Sequence, residues 1–345
     1  MSYAKVLFIG LGGAGQRHMR ILRQLLPTDT QFIAFRRYGR TPLLNPDFTV
    51  DSSRALEEAF DLSLFPSLES AFADGPDLTV VATPTSAHRK AMTLALEAGS
   101  GIIVEKPWAE SLEGFDSFRD AITGKCLPFQ ISFQRRFHPL IAKARDLVVG
   151  GHIGKPVSAS FSVYSYVPAW HPYEDWRSLY AVRKELGGGV LLTECHEIDL
   201  AYWYFGLPDA VFCTGGNRAA VELDVEDTAQ MTLLYADFSV QINLCFLHAK
   251  PSRHFHIAGT KGCITCSDNW NKLTFNAFDA PRTEQVSVPN VGNDSMFVAQ
   301  ARAFLHDWSA TDTQNALAAA GGSLAIIDAA RCSMASRRAE HVCPH

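Results

Sequence analysis

The segment KVLFIGLGGAGQRH (residues 5–18) sets the interpretation of the N-terminal half of this chain. Its apolar residues 6–9 predict a buried strand, and three glycines follow where a helical pattern begins. In such a G-x-G-x-x-G turn the glycines permit a tight bend, a close approach to a pyrophosphate, and close packing of helix on strand. A glycine-rich turn of an unrelated α/β protein is the alternative, but the strand before and the helix after favour a dinucleotide-binding turn. The residues expected to contact the nucleotide here are Gly10, Gly12, Gly13, Ala14 and Gly15.

Strand and helix patterns alternate through the N-terminal part of the chain. Apolar strand patterns cover residues 32–35, 78–83 and 101–105, and helical patterns cover residues 16–26, 88–98 and 111–122. Such alternation predicts right-handed crossovers and a doubly wound parallel sheet. We therefore expect an α/β protein with a Rossmann-type dinucleotide-binding domain over residues 1–124 and a second domain over residues 125–345.

The second half has a different pattern. An amphipathic helix (138–151) and a long alternating strand (155–167) come first, and strands of hairpin length follow between residues 210 and 290. Helical patterns at 294–308 and 316–335 close the chain. These features predict an α+β domain for substrate binding and oligomerisation, built on an open, mostly antiparallel sheet.

Composition narrows the function classes. The chain has 345 residues, a formal net charge of −5 and eight cysteines. The acidic balance argues against a nucleic-acid-binding surface, and we find no apolar run of the roughly 18 residues that a membrane span needs. The start of the chain shows no signal-peptide pattern, and the scattered cysteines fit a reducing compartment. We expect a cytoplasmic protein with no nucleic-acid or membrane partner.

The end of the second predicted strand carries positive charge. Arg36 and Arg37 follow it directly and Arg40 is close, where this fold usually places a carboxylate that binds the ribose 2′-hydroxyl. The planar guanidinium of arginine suits phosphate oxygens instead. The sequence therefore predicts that NADP(H) is preferred over NAD(H), although a solvated surface charge is the alternative for any one of these arginines.

Three further segments carry a resemblance to a known family: ATPTSAH (82–88), EKP (105–107) and GGGVLLTECHEID (187–199). Together with the glycine-rich turn, they resemble the Gfo/Idh/MocA family, the glucose-fructose oxidoreductase and inositol dehydrogenase group, over nearly the whole chain. The resemblance implies an NAD(P)-dependent oxidoreductase in which Lys106 lies beside nicotinamide and substrate and His196 is the acid/base. It also implies nucleotide contacts from Thr83, Pro84, His88, Glu105 and Lys106.

Physical reasoning supports both predicted catalytic roles. Lys106 follows a parallel strand at its carboxyl end, where open α/β sheets bind ligands, and a cation there favours a developing alkoxide. Histidine titrates in the range needed to move a hydroxyl proton at neutral pH. Asp199 is three residues beyond His196 on the same predicted helix face, so it could orient the imidazole, or simply cap or pair with it. A surface lysine and a structural histidine are the alternatives.

One position departs from the family pattern. Many members have an aspartate four residues before this histidine, as a proton relay, but Leu192 stands there in this chain. On an ideal helix Thr193 would share a face with His196, and Glu194 would point elsewhere. Either Thr193 or Glu194 replaces the relay, or His196 acts without one.

Two loops supply candidate substrate contacts. Gln134, Arg135 and Arg136 follow the sixth predicted strand, and we expect one of these arginines to reach the cleft. A segment before the third motif mixes aromatic faces with polar groups, a composition suited to sugar rings. Its candidate residues are Trp170, His171, Tyr173, Asp175, Trp176, Arg177 and Arg183.

A histidine- and cysteine-rich stretch raises the question of a metal. It contains His248, His254 and His256 with Cys263 and Cys266. The two cysteines would lie on opposite faces of a regular strand, and no second cysteine pair completes a tetrahedral set. We therefore predict no metal site.

The sequence favours an NADP(H)-dependent oxidoreductase that exchanges hydride with a secondary alcohol or ketone of a sugar, amino sugar, nucleotide sugar or inositol. The predicted NADP preference favours reduction of the substrate as the direction of the reaction. One alternative is a nucleotide-binding sensor without turnover, and another is a glycosidase or lyase that uses tightly bound nucleotide in a transient oxidation. We expect a small carbohydrate-like substrate and a homodimer or homotetramer.

Overall fold

The computed structural model describes residues 3–36, 41–170, 173–218, 223–279, 283–289 and 291–344. Arg37 and Arg40, predicted to lie near the nucleotide phosphate, fall outside the described residues, as does the pocket candidate His171. Within these ranges no helix is long and apolar enough to cross a membrane.

The N-terminal half is built on a parallel sheet, which has six strands in the described residues, in the order β5-β2-β1-β6-β7-β8. The order reverses between β1 and β6, where open α/β sheets bind ligands. This confirms the predicted doubly wound sheet. The strands, including a small β3–β4 hairpin, are β1 (Lys5–Ile9), β2 (Gln31–Phe35), β3 (Leu43–Leu44), β4 (Val50–Asp51), β5 (Leu62–Phe65), β6 (Leu78–Val81), β7 (Gly101–Val104) and β8 (Phe129–Ile131).

Helices connect these strands, and two of them start differently from the sequence prediction. The first begins at Gly13 rather than residue 16, so its N-terminus lies in the glycine turn. The helix predicted from residue 111 begins at Phe115, because Gly114 takes a left-handed conformation (φ +77°) just before it. The helices are α1 (Gly13–Leu25), α2 (Leu56–Phe60), α3 (Leu68–Ala73), α4 (His88–Glu97) and α5 (Phe115–Gly124).

The second half forms an open sheet in the order β16-β15-β14-β13-β9-β12-β11-β10-β17. The β9–β12 pair is parallel and the other pairs are antiparallel, which confirms a mostly antiparallel sheet. The strands are β9 (Pro156–Tyr166), β10 (Ala210–Gly216), β11 (Thr228–Leu234), β12 (Ser239–Cys245), β13 (Leu247–Gly259), β14 (Gly262–Ser267), β15 (Lys272–Ala277), β16 (Glu284–Ser287) and β17 (Glu340–His341).

The helices of this half also join the two sheets. Phe297 and Phe304 of α9 share a buried cluster with Val6 and Phe32 of the parallel sheet. The sixth parallel strand, β8, follows residue 124, where the sequence analysis ended the first domain. The helices are α6 (Pro139–Val149), α7 (Val190–Thr193), α8 (His196–Phe205), α9 (Asn293–Asp307) and α10 (Ala310–Ser336).

Candidate active site

The glycine turn between β1 and α1 is fixed by close backbone contacts. Gly10 has φ +105°, and a Cβ atom there would lie 2.3 Å from the Ala82 carbonyl oxygen. A Cβ atom on Gly15 would lie 1.9 Å from the Gly10 oxygen. By contrast, a Cβ on Gly12 would meet no atom of the described residues within 4 Å, so this glycine borders open space there. Two of the motif glycines are therefore needed by the fold, and the other leaves room for a ligand.

The residues of this turn fit a dinucleotide. Helix α1 begins without a side-chain cap and without an acidic residue in its first turn, so its N-terminal amides are available to an anion. The turn, the loop after β6 and the end of β7 line a cavity of about 360 Å³. Five predicted contacts in this cavity lie outside the turn itself: Thr83, Pro84, Glu105, Lys106 and Tyr173.

A second cavity, of about 440 Å³, continues from the first. Glu105, Lys106 and Tyr180 border both cavities, so the two form one cleft. The predicted residues Arg135, Trp170 and His196 line the second cavity, together with several residues that the sequence analysis did not select. Among the latter are Arg17, Phe48, Leu179, Tyr180, Arg253 and Asn293.

His88 has a structural position. Its two ring nitrogens each lie 2.9 Å from a backbone oxygen, those of Thr83 and Pro107. The ring is fully buried and ties together the loops that follow β6 and β7. The prediction of a direct nucleotide contact is therefore wrong for His88, because neither ring nitrogen is free to bind a ligand.

Arg36 lies where the sequence placed it, at the end of β2. Its Nη1 donates to the carboxylate of Glu57, whereas Nε and Nη2 are buried and have no hydrogen-bond partner in the described residues. These two nitrogens lie on one edge of the guanidinium, in the geometry that binds two oxygens of one anion.

Lys106 is held at the centre of the cleft. Its Nζ donates to the Thr193 carbonyl oxygen at 2.6 Å, and Tyr180 lines the same two cavities beside it. Burial lowers the pKa of Lys106, but attraction to surrounding groups outweighs burial, and the pKa lies above its ordinary value. The groups that raise the pKa of Lys106 are, from the largest effect to the smallest, Tyr180, Cys195 and the carboxylates of Glu105 and Glu194. Burial also raises the pKa of the Tyr180 hydroxyl. Lys106 is thus a cation throughout the neutral range.

Glu105 is anchored from the glycine-turn helix. His18 Nε2 lies 2.9 Å from Glu105 Oε1, and both side chains are nearly buried. Although burial opposes it, this hydrogen bond and the nearby cations lower the pKa of Glu105. A carboxylate is therefore fixed next to Lys106.

The segment around His196 differs from the predicted continuous helix. Helix α7 ends at Thr193 and α8 begins at His196, with Glu194 and Cys195 in the break. The break directs Glu194 into the cleft, where an ideal helix would have turned it away. The prediction that Glu194 points elsewhere is wrong, and both Thr193 and Glu194 now border the same cavity as His196.

His196 is a neutral imidazole at physiological pH. Burial first, and then the cations Lys106, Arg135 and Arg253, lower its pKa well below the ordinary value of 6.5. Its Nδ1 is buried without a hydrogen-bond partner among the described residues. The ring is therefore a base in its resting state.

Asp199 does not orient this imidazole. Its carboxylate accepts two hydrogen bonds from Arg136, at 2.9 and 2.6 Å, and one from Ser323 at 3.4 Å. The predicted pairing of Asp199 with His196 is thus wrong, because the Asp199 carboxylate is hydrogen-bonded to Arg136 instead. The guanidinium of Arg136 lies over the Trp203 ring, 5.2 Å from its centroid, and does not border the cavity. Arg135 is therefore the arginine that reaches the cleft.

A buried charge network forms the wall beside His196. Arg253 of β13 donates to Glu197 at 2.6 Å and to Glu194. Burial raises the pKa of Glu197 to about 7, and its Oε2 has no partner in the described part of the chain. The sequence analysis did not predict this network. The two acids that flank His196 in TECHEID were a signal for it, because buried carboxylates need a cation to balance them.

The segment before Gly187 supplies only part of the predicted contacts. Trp170 and Tyr173 line the cleft. Arg177 instead pairs with Asp175 at 3.3 Å and covers the Trp176 ring, and neither Trp176 nor Arg177 borders the two cavities. Arg183 is exposed and paired with Glu185. Tyr180 of this segment lines both cavities together with Lys106. The sequence analysis did not select Tyr180, because the segment contains several aromatic residues and nothing in the sequence marked this one.

The histidine and cysteine stretch lies on the second sheet. Cys266 is buried and Cys263 borders the opposite, outer face, as strand alternation predicts. Among the described residues no group of three or more histidine, cysteine, aspartate or glutamate side chains could hold a metal ion.

Family models match both halves of the chain. The model described as "Oxidoreductase family, NAD-binding Rossmann fold" matches residues 4–131, and the model described as "GFO/IDH/MocA C-terminal domain" matches residues 141–265. The first ends at the last strand of the parallel sheet. The second begins in α6 and includes the cleft residues Trp170, His196 and Arg253.

Curated relatives include dehydrogenases of cyclic polyols. The chain is 29% identical to levoglucosan dehydrogenase of Pseudarthrobacter phenanthrenivorans over 220 residues, which is 55% of this chain and 56% of that protein. It is 37% identical to scyllo-inositol 2-dehydrogenase (NAD(+)) of Bacillus subtilis over 83 residues, 24% of each protein. The matched region thus spans about half or less of the length of these relatives.

Solved structures share the whole fold. A levoglucosan dehydrogenase in complex with NADH and levoglucosan superposes with a TM-score of 0.79 at 20% identity, covering 98% of this chain and 99% of that one. At this identity the likeness establishes the architecture of both halves.

Proposed function

Because this chain belongs to the GFO/IDH/MocA oxidoreductase family, we propose that it is an NADP(H)-dependent dehydrogenase or reductase acting on a secondary alcohol or ketone of a carbohydrate-like substrate. The observation that carries this proposal is one cleft lined by the glycine turn, by cationic Lys106 and by neutral His196. Sugars, amino sugars, nucleotide sugars and inositols are the substrate classes proposed. The names of the relatives and the aromatic faces of Trp170 and Tyr173 favour a polyhydroxylated substrate.

Two side chains of this cleft perform the proton chemistry. The neutral imidazole of His196 accepts the proton of the substrate hydroxyl, or returns it in the reverse direction. Lys106 Nζ carries three N–H donors and uses one of them on the Thr193 carbonyl oxygen. Another donor can stabilise negative charge on the reacting oxygen.

The nucleotide end of the cleft binds and orients the cofactor. The N-terminal amides of α1 and the open space at Gly12 suit a pyrophosphate. A nicotinamide nucleotide, when bound, supplies or takes up the hydride. The partly apolar walls from Leu179 and Trp170 exclude water from the reacting centre.

The proposed preference for NADP(H) rests on Arg36. Its Nε and Nη2 are buried and have no partner in the described part of the chain, and a 2′-phosphate is an anion that would satisfy both. The neighbouring Glu57 holds the third nitrogen, Nη1, and fixes the guanidinium while opposing a second negative charge.

Fluorescence titration with NADPH and NADH tests this preference. Arg36→Asp is expected to weaken NADPH binding about 10- to 100-fold while leaving NADH binding within about threefold. Glu57→Gln, the matched control on the partner, should strengthen NADPH binding, because it removes a repelling carboxylate. Equal losses for both nucleotides in Arg36→Asp would contradict the phosphate assignment.

Activity is tested by the absorbance of reduced nucleotide over a panel of sugars, sugar derivatives and inositols. The proposal predicts turnover of at least one member with a stoichiometric absorbance change. Product formation without that change would favour the transient-oxidation alternative. Nucleotide binding with no product from any member would favour the sensor alternative.

We also propose a homo-oligomer formed through the outer face of the second sheet. Small polar side chains cover this face, among them Ser158, Ser160, Ser239, Gln241 and Thr265. The helices that pack on the sheet lie on its other side, so this face is left uncovered within the described residues. Sizing at micromolar concentration should show a dimer or tetramer, and a monomer would contradict the proposal.

A further inference from the structure

Four arginines stand in or beside the cleft, and three of them are paired. Arg17 binds Asp294 at 2.7 Å, Arg136 binds Asp199 at 2.6 Å, and Arg253 binds two glutamates. Arg135 differs from the others. Among the described residues it has no hydrogen-bonded or ion-paired partner, and its Nε is buried and unsatisfied.

The position of Arg135 is set by packing rather than by a carboxylate. Its guanidinium lies 5.3 Å from the centroid of the Trp270 ring, and Arg253 lies 5.4 Å from the same ring. Trp270 is buried and ends a turn of three consecutive left-handed residues, 268–270, with φ values of 53°, 51° and 70°. Such a turn persists only where the surrounding structure requires it. An indole face holds a guanidinium flat but leaves its N–H donors without acceptors.

No carboxylate among the described residues contacts the guanidinium of Arg135 directly. The carboxylates that attract it, Glu194 and Glu197, are both bound by Arg253. Burial and the adjacent Arg253 cation lower the pKa of Arg135 to about 9. A partly buried guanidinium that faces the cleft and has no hydrogen-bond acceptor among the described residues is a site for an anion supplied from outside.

We infer that the substrate carries a carboxylate, bound by Arg135, on the same molecule as the reacting hydroxyl. This inference rests on the proposed dehydrogenase function and names its substrate class as a hydroxy acid of the sugar-acid type. One guanidinium balances one negative charge, which matches a carboxylate, whereas a phosphate monoester carries nearly two. The planar fork of arginine also binds the two oxygens of a carboxylate together.

The proposed carboxylate would also change the basicity of His196. Arg135 and His196 line the same cavity, so one small molecule can contact both, and the Arg135 cation contributes to the low pKa of His196. Neutralising Arg135 would make His196 a stronger base at the moment that substrate binds. A neutral sugar would offer Arg135 no ionised acceptor and would leave the pKa of His196 unchanged.

The test uses the full chain loaded with reduced nucleotide, NADPH or NADH, whichever binds more tightly. The probes are matched pairs that cannot be reduced: methyl β-D-glucuronide against methyl β-D-glucoside, and D-gluconate against D-glucitol. Titration calorimetry should show at least one acid binding about tenfold or more tightly than its neutral partner. If no acid in the panel binds more tightly than its partner, the inference is overturned.

Variants separate Arg135 from other positive charges. Arg135→Met is expected to bring acid and neutral probes within about twofold of each other, and Arg135→Lys should retain part of the preference. Arg89→Met removes an exposed arginine that pairs with Glu113, and it should retain the full preference. An acid preference that persists in Arg135→Met would overturn the assignment, and the wild-type comparison stands even if that variant does not fold.

Failure of this inference is distinguishable from failure of the proposed function. Loading is followed separately through the fluorescence of the reduced nucleotide. Absence of loading would overturn both proposals. Loading without an acid preference would overturn the carboxylate alone and leave the dehydrogenase proposal in place.

Discussion

The two ends of the cleft are built from different materials. At the nucleotide end, the backbone forms the site. A Cβ atom added to Gly10 or Gly15 would lie 2.3 or 1.9 Å from a backbone oxygen, whereas Gly12 borders open space. At the substrate end, side chains make the site, through Lys106, His196 and the charged groups around them. The backbone site is encoded in one contiguous segment. The side-chain site exists only after distant segments have folded together.

This difference has a physical consequence. A backbone site tolerates changes of neighbouring side chains, because its donors are amides fixed by helix and strand. A buried charge network depends on every partner, because each ion left unpaired is strongly destabilising. Substitutions at the two ends should therefore fail in different ways.

The largest expected effect is at His196. His196→Gln removes the base but keeps a polar side chain of similar size, so kcat should fall about 10²- to 10⁴-fold. The affinity for NADPH should stay within about threefold of wild type, because the nucleotide end is backbone. Steady-state kinetics and fluorescence titration on the same preparation check both. A comparable loss of nucleotide affinity would show that the two ends do not function separately.

The next largest effect is on stability. Arg253→Met removes the cation that is hydrogen-bonded to the buried Glu194 and Glu197, which should lower the free energy of unfolding by about 3–5 kcal/mol. Urea denaturation followed by fluorescence measures this. The exposed Arg89→Met should stay within about 0.5 kcal/mol of wild type. Equal effects of the two substitutions would mean that the network contributes no more than a surface pair.

Two glycine substitutions separate folding from binding at the nucleotide end. Gly10→Ala forces a Cβ against the Ala82 carbonyl at a left-handed φ, so unfolding should become easier by at least about 1–3 kcal/mol. Gly12→Ala meets no protein atom, so stability should be kept while NADPH affinity falls. Thermal unfolding with and without NADPH tests the pair. Wild-type NADPH affinity in Gly12→Ala would show that the open space is not the pyrophosphate site.

The smallest expected effect is a shift in pH dependence. Burial, and after it the nearby cations, hold the pKa of His196 well below 6.5, and oxidation of an alcohol requires the neutral ring. Activity should therefore fall only as the pH drops below 6.5. Arg135→Met removes one of these cations, which raises the pKa of His196 and moves the acid limb of the kcat/KM profile to higher pH. A shift to lower pH in that variant would contradict the electrostatic account.

The contiguous parts of this molecule were predictable from sequence. The glycine turn, the parallel sheet and the arginine at the end of β2 each follow from a local pattern with one dominant physical interpretation. Lys106 and His196 were selected because short motifs surround them. In each case the residues that fix the conformation lie close together in the chain.

The long-range pairings were not predictable. Helical spacing placed Asp199 beside His196, but Arg136, 63 residues earlier, binds its carboxylate. Helix propensity favoured one continuous helix through TECHEID, but the fold breaks it at Glu194, and Arg253, 59 residues later, binds Glu194 there. Tertiary electrostatics overrode local pattern at both places, since a buried carboxylate must find a cation wherever the fold supplies one.

A crystal structure of the protein with NADP⁺ and a bound polyol or sugar acid tests the account most directly. The account predicts pyrophosphate against Gly12 and the α1 amides, with the reacting carbon about 3–3.5 Å from nicotinamide C4 and its oxygen within hydrogen-bond reach of both Lys106 Nζ and the His196 ring. Nicotinamide bound elsewhere, or a substrate oxygen out of reach of both side chains, would contradict it.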